Sequence, residues 1–268
     1  MNTFIICHKD LPLFNVPHKA KVVWLNAKMP DNPKNYDIIP GYDYIRDAEI
    51  NHNKLSGAIG PMIIHKIIES MTSGNEKITI WQYRKFVSRQ KFGKSSKNYV
   101  GTNVLFSEEA EKLNLYSNNY NDYEFTVSAP LQIGNLSKQY LTYHHISDLL
   151  KYTALAVDLN VISEEDSYLF LNCAHLIIGG LELGTYPLYW WKEKFNDLQK
   201  VSLEFIRKCI PANPNDPYQK RAVAFCQERL GSFILLKKMS SQYQGNLPIA
   251  LFGTIHTVSD TGTYNRGI

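Results

Sequence analysis

Short apolar runs alternate with a helix-like stretch in the first part of the chain. β-prone apolar runs at residues 3–7, 21–25 and 78–82 predict three strands, and a fourth follows at 124–128. Between the second and third runs, residues 61–71 carry isoleucines at helical spacing behind a proline, which predicts a helix. Strand, helix and strand in succession favour a parallel or mixed sheet with helices packed against it.

The second part of the chain has mostly helical spacing. Apolar residues at this spacing predict one long helix over 137–158. Proline at position 187 predicts a helix that runs to about residue 209, and an acid followed by a proline at 216–217 predicts another from 218 to about 239. Ser163 precedes three acidic residues, the pattern of a helix N-cap.

These patterns predict an α/β fold: a mixed, mostly parallel sheet in residues 1–135 and a helical half in residues 136–268. Residues 31–43 are rich in Pro, Asn, Gly and Asp and are predicted to form a loop. We find no internal repeat and no low-complexity segment, so we expect one domain over residues 1–268.

Composition narrows the class of protein. Hydrophobic residues make up 44% of the 268 positions, which is enough for a full-sized core. The four cysteines form no Cys-x-x-Cys pair, and there is neither a leader-like start nor an apolar run of about 18 residues, so we expect a cytoplasmic protein. The net charge of +4 suits phosphorylated ligands or an anionic membrane surface and is too small to indicate a nucleic-acid partner.

Basic and aromatic side chains follow two of the predicted strands. His8 and Lys9 come directly after the first strand, and Tyr83, Arg84 and Lys85 leave the strand at 78–82. Ligands of open α/β sheets bind at the carboxyl ends of strands, and Arg offers a fork of donors suited to phosphate. These residues could therefore bind a phosphorylated ligand, although a surface pair at His8 and Lys9 is the simpler interpretation.

Three further segments carry candidate chemistry. On one predicted helix, Asp148 follows His144 by four residues and His145 by three. This spacing suits general acid–base chemistry, binding of sugar hydroxyls or a structural role. The residues could also bind zinc, but no third zinc ligand is evident. Gly179 and Gly180 allow a close backbone approach, or form a turn that packs against the sheet.

Glu182 follows these glycines in apolar surroundings, where a carboxyl group has a raised pKa and can act as a base. Arg221 and Arg229 lie eight residues apart on another predicted helix, where they could clamp a diphosphate or form a solvated face. P-loop, dinucleotide-binding and Gly-x-Ser-x-Gly motifs are absent, which argues against the enzyme classes that use them.

Taken in order, several of these segments resemble a family of capsular and O-antigen polysaccharide glycosyltransferases. The segments are His8-Lys9, Gln82-Tyr83-Arg84-Lys85, His145-x-x-Asp148, Tyr218-Gln219 and Glu228-Arg229-Leu230. The resemblance spans most of the chain, and it implies a GT-A-like fold, a nucleotide-sugar donor and a growing surface glycan as acceptor. Some members of that broad group are thought to use galactofuranose donors.

The chain departs from the family pattern at two places. Gln82 and Lys85 stand where the family has His and a second Arg, and the family's Gly-Asn-Met-Phe stretch is replaced by Gly179-Gly180-Leu181-Glu182. The latter is similar to the Gly-Gly-x-Glu/Asp stretch of inverting GT-A enzymes, whose acid serves as the base.

The resemblance therefore implies a role for each candidate residue. Glu182 is the first choice as catalytic base and Asp148 the second. We expect the acceptor to contact His145, Gly179 and Gly180, and the donor to contact basic and aromatic residues: His8, Lys9, Tyr83, Arg84, Lys85, Arg221 and Arg229.

No Asp-x-Asp motif follows a central strand, so we predict no metal ligands and no resident cofactor, while a requirement for Mn²⁺ or Mg²⁺ stays open. Acceptors of this kind are often lipid-linked, which suggests peripheral contact with the inner face of the inner membrane. The alternatives are a transferase of phosphoryl or acyl groups, and a non-catalytic protein that binds glycan or nucleotide. A nucleic-acid-binding protein lacks any supporting motif.

Overall fold

The computed structural model describes residues 2–69, 71, 76–115, 123–261 and 263. Its strands are β1 (Asn2–Cys7), β2 (Lys21–Trp24), β3 (Asp37–Pro40), β4 (Lys77–Gln82), β5 (Lys85–Ser88), β6 (Lys94–Ser95), β7 (Thr102–Leu105), β8 (Val127–Ser128), β9 (Leu131–Gln132), β10 (His175–Leu176), β11 (Gly184–Pro187) and β12 (Phe252–Val258). Its α-helices are α1 (Ala48–Leu55), α2 (Ile59–Ile67), α3 (Ser107–Ala110), α4 (Leu136–Tyr143), α5 (Ile146–Asp158), α6 (Glu164–Leu171), α7 (Leu188–Lys208) and α8 (Ala222–Gln242).

The main sheet has the order β3-β2-β1-β4-β5-β12-β7-β6. Its first four strands are parallel neighbours, so their carboxyl ends share one edge of the sheet. β11 pairs with β4 in antiparallel fashion, and β12 joins β5 to β7. The C-terminal half is mostly helical, as the sequence predicts, and it also supplies these two strands to the sheet.

The alternation along β1 explains why the sheet is covered on both faces. Phe4 and Ile6 point into the larger hydrophobic cluster, whereas Ile5 and Cys7 point into a smaller one on the opposite face. Successive side chains of a strand face opposite sides, so a strand with every position apolar is buried on both sides. The larger cluster includes apolar residues of α2, α5, α7 and α8.

The predicted loop over 31–43 is wrong in part, because it contains β3 and a 3₁₀ turn at Gly41–Asp43. β3 pairs in parallel with β2 along its whole length, and Ile39 is buried. Two adjacent isoleucines at the sheet edge are sufficient for a short strand even between prolines and polar residues. The strand that was predicted third along the chain is consequently the fourth, β4.

The single helix predicted over 137–158 is also wrong, because the chain breaks into α4 and α5. The backbone of His144 is extended, and His145 occupies the N-cap position of α5. The ring of His144 stacks on Phe225 at 4.1 Å and on Tyr218 at 5.5 Å between ring centroids. This packing against the start of α8 stabilises a backbone turn that helical spacing alone does not reveal.

The other helix boundaries follow the sequence signals closely. The Ser163 hydroxyl accepts a hydrogen bond from the Asp166 amide, so it is the predicted N-cap of α6. Pro187 directly precedes α7, whose C-cap is Cys209. Asp216 accepts hydrogen bonds from the next two amide groups after Pro217, but the chain first forms a 3₁₀ turn at Gln219–Arg221 before α8 begins.

Within the described residues, no helix combines the length and the apolar character needed to cross a bilayer.

Candidate active site

The carboxyl edge of β1 and β4 brings together side chains that lie far apart in sequence. His8 is the first residue after β1, and Tyr83 and Arg84 form the connection from β4 to β5. Because β1 and β4 are parallel neighbours, the ring of His8 meets the ring of Tyr83 edge-on at 5.4 Å between centroids. The guanidinium group of Arg84 lies 5.5 Å from the centre of the Tyr83 ring. Three of the predicted donor-binding residues thus share one cluster, which we call the donor edge.

Two residues that the sequence analysis missed belong to the donor edge. The ring of His52, near the end of α1, lies 6.5 Å from the ring of His8, and its Nδ1 is 2.6 Å from the hydroxyl oxygen of Tyr42. The Tyr42 hydroxyl also donates a hydrogen bond to the Leu25 carbonyl oxygen at 2.9 Å, just after β2. Neither residue has a local sequence signal, since His52 lies between two asparagines and Tyr42 follows a proline–glycine turn.

The donor edge combines neutral rings with fixed positive charge. Burial lowers the pKa of His8, the neighbouring His52 and Lys9 lower it further, and Asp10 opposes them. His8 is therefore neutral near pH 7, and the positive charge is carried by Lys9 and Arg84. Lys85 begins β5 and pairs across the sheet with Thr257.

An open groove of about 410 Å³ lies next to the donor edge. The loops that follow β1 and β2 line this groove, and they bring three lysines to it: Lys9, Lys28 and Lys34. Trp24 at the end of β2 forms part of the wall, and Asn26 ties the two loops together through a hydrogen bond to the His8 carbonyl oxygen. Three acids, Asp10, Asp31 and Glu111, also line the groove, and Asp31 pairs with Lys28 at 3.0 Å. A groove with an aromatic wall and charges of both signs can accommodate a polar ligand that has a flat ring.

Glu182 ends a chain of buried hydrogen bonds. Its Oε1 accepts from Gln227 Nε2 at 2.8 Å, and Gln227 Oε1 accepts from the Ser202 hydroxyl at 2.6 Å. Ser202 in turn lies 2.8 Å from the Tyr152 hydroxyl, which must donate because the Ser202 proton is already used. The chain fixes the orientation of the Gln227 amide and directs its NH₂ group at the carboxyl group of Glu182.

Burial raises the pKa of Glu182 to about 8, the nearby carboxylate of Glu228 adds to the rise, and the hydrogen bond from Gln227 opposes it. Glu182 is 7% exposed. Its second oxygen, Oε2, lies 3.9 Å from the position that a side-chain carbon at Gly57 would occupy, and Gly57 is exposed. The carboxyl group is thus buried on the Gln227 side and close to the surface on the Gly57 side.

The turn that carries Glu182 lies near the carboxyl end of β4. Gly184 starts β11 opposite Ile80 of β4, and β4 ends two residues later at Gln82. Since β11 runs antiparallel to β4, the residues just before Gly184 approach the end of β4 where Tyr83 begins. Consistent with this, Leu183 packs in the same hydrophobic cluster as Tyr83.

Gly179 and Gly180 are required by the packing of this turn. Both have positive φ, at 87° and 48°, and a side-chain carbon at Gly180 would lie 2.5 Å from the Glu228 carbonyl oxygen on α8. The Gly179 amide donates to Glu228 Oε1 at 2.8 Å, and the Tyr186 hydroxyl donates to the Gly180 carbonyl oxygen at 2.8 Å. Gly180 therefore lets α8 approach the turn, whereas Gly179 leaves room for Leu183, since a side-chain carbon at Gly179 would lie 2.5 Å from Leu183 Cβ. The role of both glycines as acceptor contacts stays a prediction.

Asp148 and His145 lie at the start of α5. Asp148 is fully buried, and its carboxylate accepts a hydrogen bond from the Ala212 amide at 3.0 Å. Burial raises the pKa of Asp148, and this hydrogen bond opposes the rise. His145 is exposed and lines an open groove of about 430 Å³ together with Tyr143 and Gln219. The prediction that His144 and Asp148 share one helix face is wrong, because the helix breaks between them.

Arg221 and Arg229 do not lie on one helix face. Arg229 is buried, its guanidinium donates to Gln139 Oε1 and to the Phe225 carbonyl oxygen, and it lies 4.8 Å from the centre of the Tyr140 ring. Arg221 precedes α8, lies over the Phe225 ring at 5.4 Å, and belongs to a turn that contacts α1.

Among residues 2–69, 71, 76–115, 123–261 and 263, no three His, Cys, Asp or Glu side chains form a group that could hold a metal ion.

The fold is shared with a known glycosyltransferase. The apo structure of WbbM, a bifunctional glycosyltransferase, superposes with a TM-score of 0.66 over 97% of this chain and 46% of that chain, at 13% sequence identity. This chain therefore spans less than half of that protein's chain. No family model matches the chain, and no curated protein sequence does. The predicted α/β fold with a mixed, mostly parallel sheet is confirmed, and it agrees with the GT-A-like architecture.

Proposed function

We propose that the protein is a glycosyltransferase that moves a sugar from a nucleotide-sugar to a growing surface glycan of the capsule or O-antigen type. The observation that carries the proposal is the convergence of His8, Tyr83 and Arg84 at the carboxyl edge of β1 and β4, in a fold shared with a glycosyltransferase. In open α/β sheets this edge is where nucleotides bind. The turn that carries Glu182 approaches the same edge.

Each group has a role in the proposed reaction. An acceptor hydroxyl attacks the anomeric carbon of the sugar, the bond from that carbon to the phosphate oxygen breaks, and the nucleotide leaves with the electron pair. The ionised carboxylate of Glu182 takes the hydroxyl proton. Arg84 and Lys9 stabilise the charge that develops on the departing phosphate. Because the pKa of Glu182 is raised to about 8, turnover should increase as the pH rises toward that value.

The acceptor is proposed to approach from the side of the exposed Gly57, because Oε2 of Glu182 lies close to that residue. The groove that contains His145, Tyr143 and Gln219 offers an imidazole, an aromatic ring and an amide for the hydroxyls and faces of a more distant sugar. A lipid-linked acceptor would bring the protein to the membrane surface. Asp148 is the second candidate for the base, although its carboxylate is already bonded to the Ala212 amide.

A thermal-shift screen tests the donor site. The purified protein is heated with UDP, GDP, CMP and dTDP and with their sugar conjugates, each in the presence of Mn²⁺, Mg²⁺ or EDTA. A ligand at 100 times its Kd stabilises the fold by about 2.7 kcal/mol. We expect one nucleotide series to raise the Tm by several degrees. No shift with any of these compounds would contradict the proposal, and binding without sugar transfer would identify a non-catalytic nucleotide-binding protein.

A further inference from the structure

The hydrogen bonds around Tyr42 determine which nitrogen of His52 carries the proton. The Tyr42 hydroxyl has one proton, and the Leu25 carbonyl oxygen at 2.9 Å can only accept it. The contact of 2.6 Å between the Tyr42 oxygen and His52 Nδ1 therefore requires a proton on Nδ1. Burial lowers the pKa of His52, so the ring is neutral near pH 7 and its Nε2 is an acceptor.

The backbone around Tyr42 and His52 fixes both residues at the donor edge. Tyr42 lies in the 3₁₀ turn that follows β3, and its partner Leu25 follows β2, so its hydroxyl is fixed to the carboxyl edge of the sheet. The helix that carries His52 is preceded by Asp47 and followed by Ser56, both non-glycine residues with positive φ (58° and 47°). Such conformations cost free energy and persist where the surroundings hold them.

The surroundings of His52 favour an uncharged ligand group. The ring of His8 lies edge-on at 6.5 Å, and His8 is itself neutral near pH 7 because of burial. The charged donors, Lys9 and Arg84, act on the pKa of His8, whereas the pKa of His52 is lowered by burial. Within the described part of the chain, Nε2 of His52 makes no hydrogen bond with the protein. A half-buried, neutral acceptor next to a basic site suits a hydroxyl group, since phosphate oxygens offer no proton near neutral pH.

We propose that His52 accepts a hydrogen bond through Nε2 from a hydroxyl group of the ligand at the donor edge, and that Tyr42 holds His52 in the tautomer that this contact requires. The inference rests on the proposed function, because it names the part of the nucleotide-sugar that this corner of the site recognises. The hydroxyl belongs either to the ribose or to the transferred sugar.

The tautomer is tested without any ligand. Long-range ¹H–¹⁵N correlation spectra of the full chain labelled with ¹⁵N-histidine distinguish a protonated Nδ1 from a protonated Nε2. We expect His52 to carry its proton on Nδ1 in the wild type and to become a mixture of tautomers in Tyr42→Phe. A proton on Nε2 in the wild type would overturn the inference, whether or not the protein binds nucleotides.

The ligand contact is tested by titration calorimetry. UDP, GDP and CMP, their 2′- and 3′-deoxy forms, and their sugar conjugates are titrated into wild type, His52→Ala and His18→Ala, in which His18 is an exposed control. If the ribose is recognised, one deoxy form binds the wild type about 3- to 10-fold more weakly than its parent, and this difference disappears in His52→Ala. If the transferred sugar is recognised, His52→Ala instead loses the preference for the conjugate over the free nucleotide.

His18→Ala should behave as the wild type. Equal affinities of His52→Ala and wild type for every compound that binds would overturn the ligand contact while leaving the proposed function intact. If no compound binds the wild type, the proposed function fails and the ligand contact fails with it, while the tautomer spectrum still reports on the Tyr42–His52 pair.

Discussion

The side-chain amide of Gln227 donates a hydrogen bond across 2.8 Å to Oε1 of Glu182, and neither residue is more than 7% exposed. The bond connects the second turn of α8 to the turn that carries Glu182. It is also the contact that opposes the effect of burial on the pKa of Glu182. Gln227 therefore contributes both to folding and to the ionisation of the proposed base.

Replacing Gln227 with Leu should lower the free energy of unfolding by about 1–3 kcal/mol, because Glu182 and Ser202 both lose a partner inside the protein. Urea denaturation measures this loss. The matched control is Gln242→Leu on the same helix, where the side chain is exposed and bonds to Glu124 at the surface. Equal losses in the two variants would contradict the buried chain of hydrogen bonds.

Glu182 should make stability fall as the pH rises. Burial raises its pKa from 4.5 to about 8 in the folded protein. Between these values the folded chain keeps a proton that the unfolded chain releases, so the free energy of unfolding decreases by up to about 1.4 kcal/mol per pH unit. Below pH 4.5 this contribution is fully present, and above pH 8 it is lost.

Glu182→Gln removes this contribution and leaves the others in place. Buried histidines such as His256, whose pKa is lowered to about 4 by burial, act in the opposite direction below pH 6.5 in both proteins. Denaturation midpoints at pH 5, 6, 7 and 8 should therefore show the variant gaining stability relative to the wild type as the pH rises. Glu165→Gln, at an exposed position, should follow the wild type. A constant difference between Glu182→Gln and wild type would contradict the raised pKa.

Gly180→Ala separates close packing from backbone strain. Gly180 and Gly245 both have positive φ, but only at Gly180 would a side-chain carbon meet backbone atoms, at 2.5 Å from the Glu228 carbonyl oxygen. Gly245 has no atom within 4 Å of that position. Both alanine variants should lose stability through strain, and Gly180→Ala should lose about 1–3 kcal/mol more by urea denaturation. Equal losses would mean that α8 moves away from the turn at little cost.

Arg84→Ala should weaken nucleotide binding about 10-fold or more, because a charged hydrogen bond to phosphate is lost. Calorimetry with the nucleotide that gives the largest thermal shift measures this effect. Arg89→Ala removes the same charge from an exposed position at the other end of β5 and should leave the affinity for the nucleotide unchanged. Unchanged affinity in Arg84→Ala would exclude Arg84 from the donor site.

Local signals were sufficient for much of the fold. Continuous apolar runs identified β1, β2 and β4, and cap residues located the starts of α6 and α7, because these features depend on neighbouring residues only. β3 and the break at His144 depend on packing partners elsewhere in the chain, namely β2 and the start of α8. The sequence therefore predicted most helices and strands, but it did not predict the edge strand β3 or the break between α4 and α5.

The same distinction holds for the candidate site. His8, Tyr83 and Arg84 could be found because they follow predicted strands whose carboxyl ends must meet. His52 and Gln227 could not be found from the sequence, because their importance depends on contacts with distant parts of the chain. His52 contacts the turn after β3, and Gln227 contacts the turn that carries Glu182. Arg221 and Arg229 were grouped by spacing, but Arg221 lies in the turn before α8, and packing on Tyr140 separates Arg229 from it.

Sugar transfer by wild type and Glu182→Gln shows whether Glu182 is the base of a glycosyltransferase. The assay follows release of the nucleotide from the sugar conjugate that binds best, with glycan acceptors present, and Glu165→Gln serves as the control. We predict acceptor-dependent release by the wild type and by Glu165→Gln, a rate that rises toward pH 8, and a loss of about 10²- to 10⁴-fold in Glu182→Gln at unchanged donor affinity. Transfer by Glu182→Gln at the wild-type rate would contradict the assignment of the base, and no acceptor-dependent release by the wild type would contradict the proposed activity.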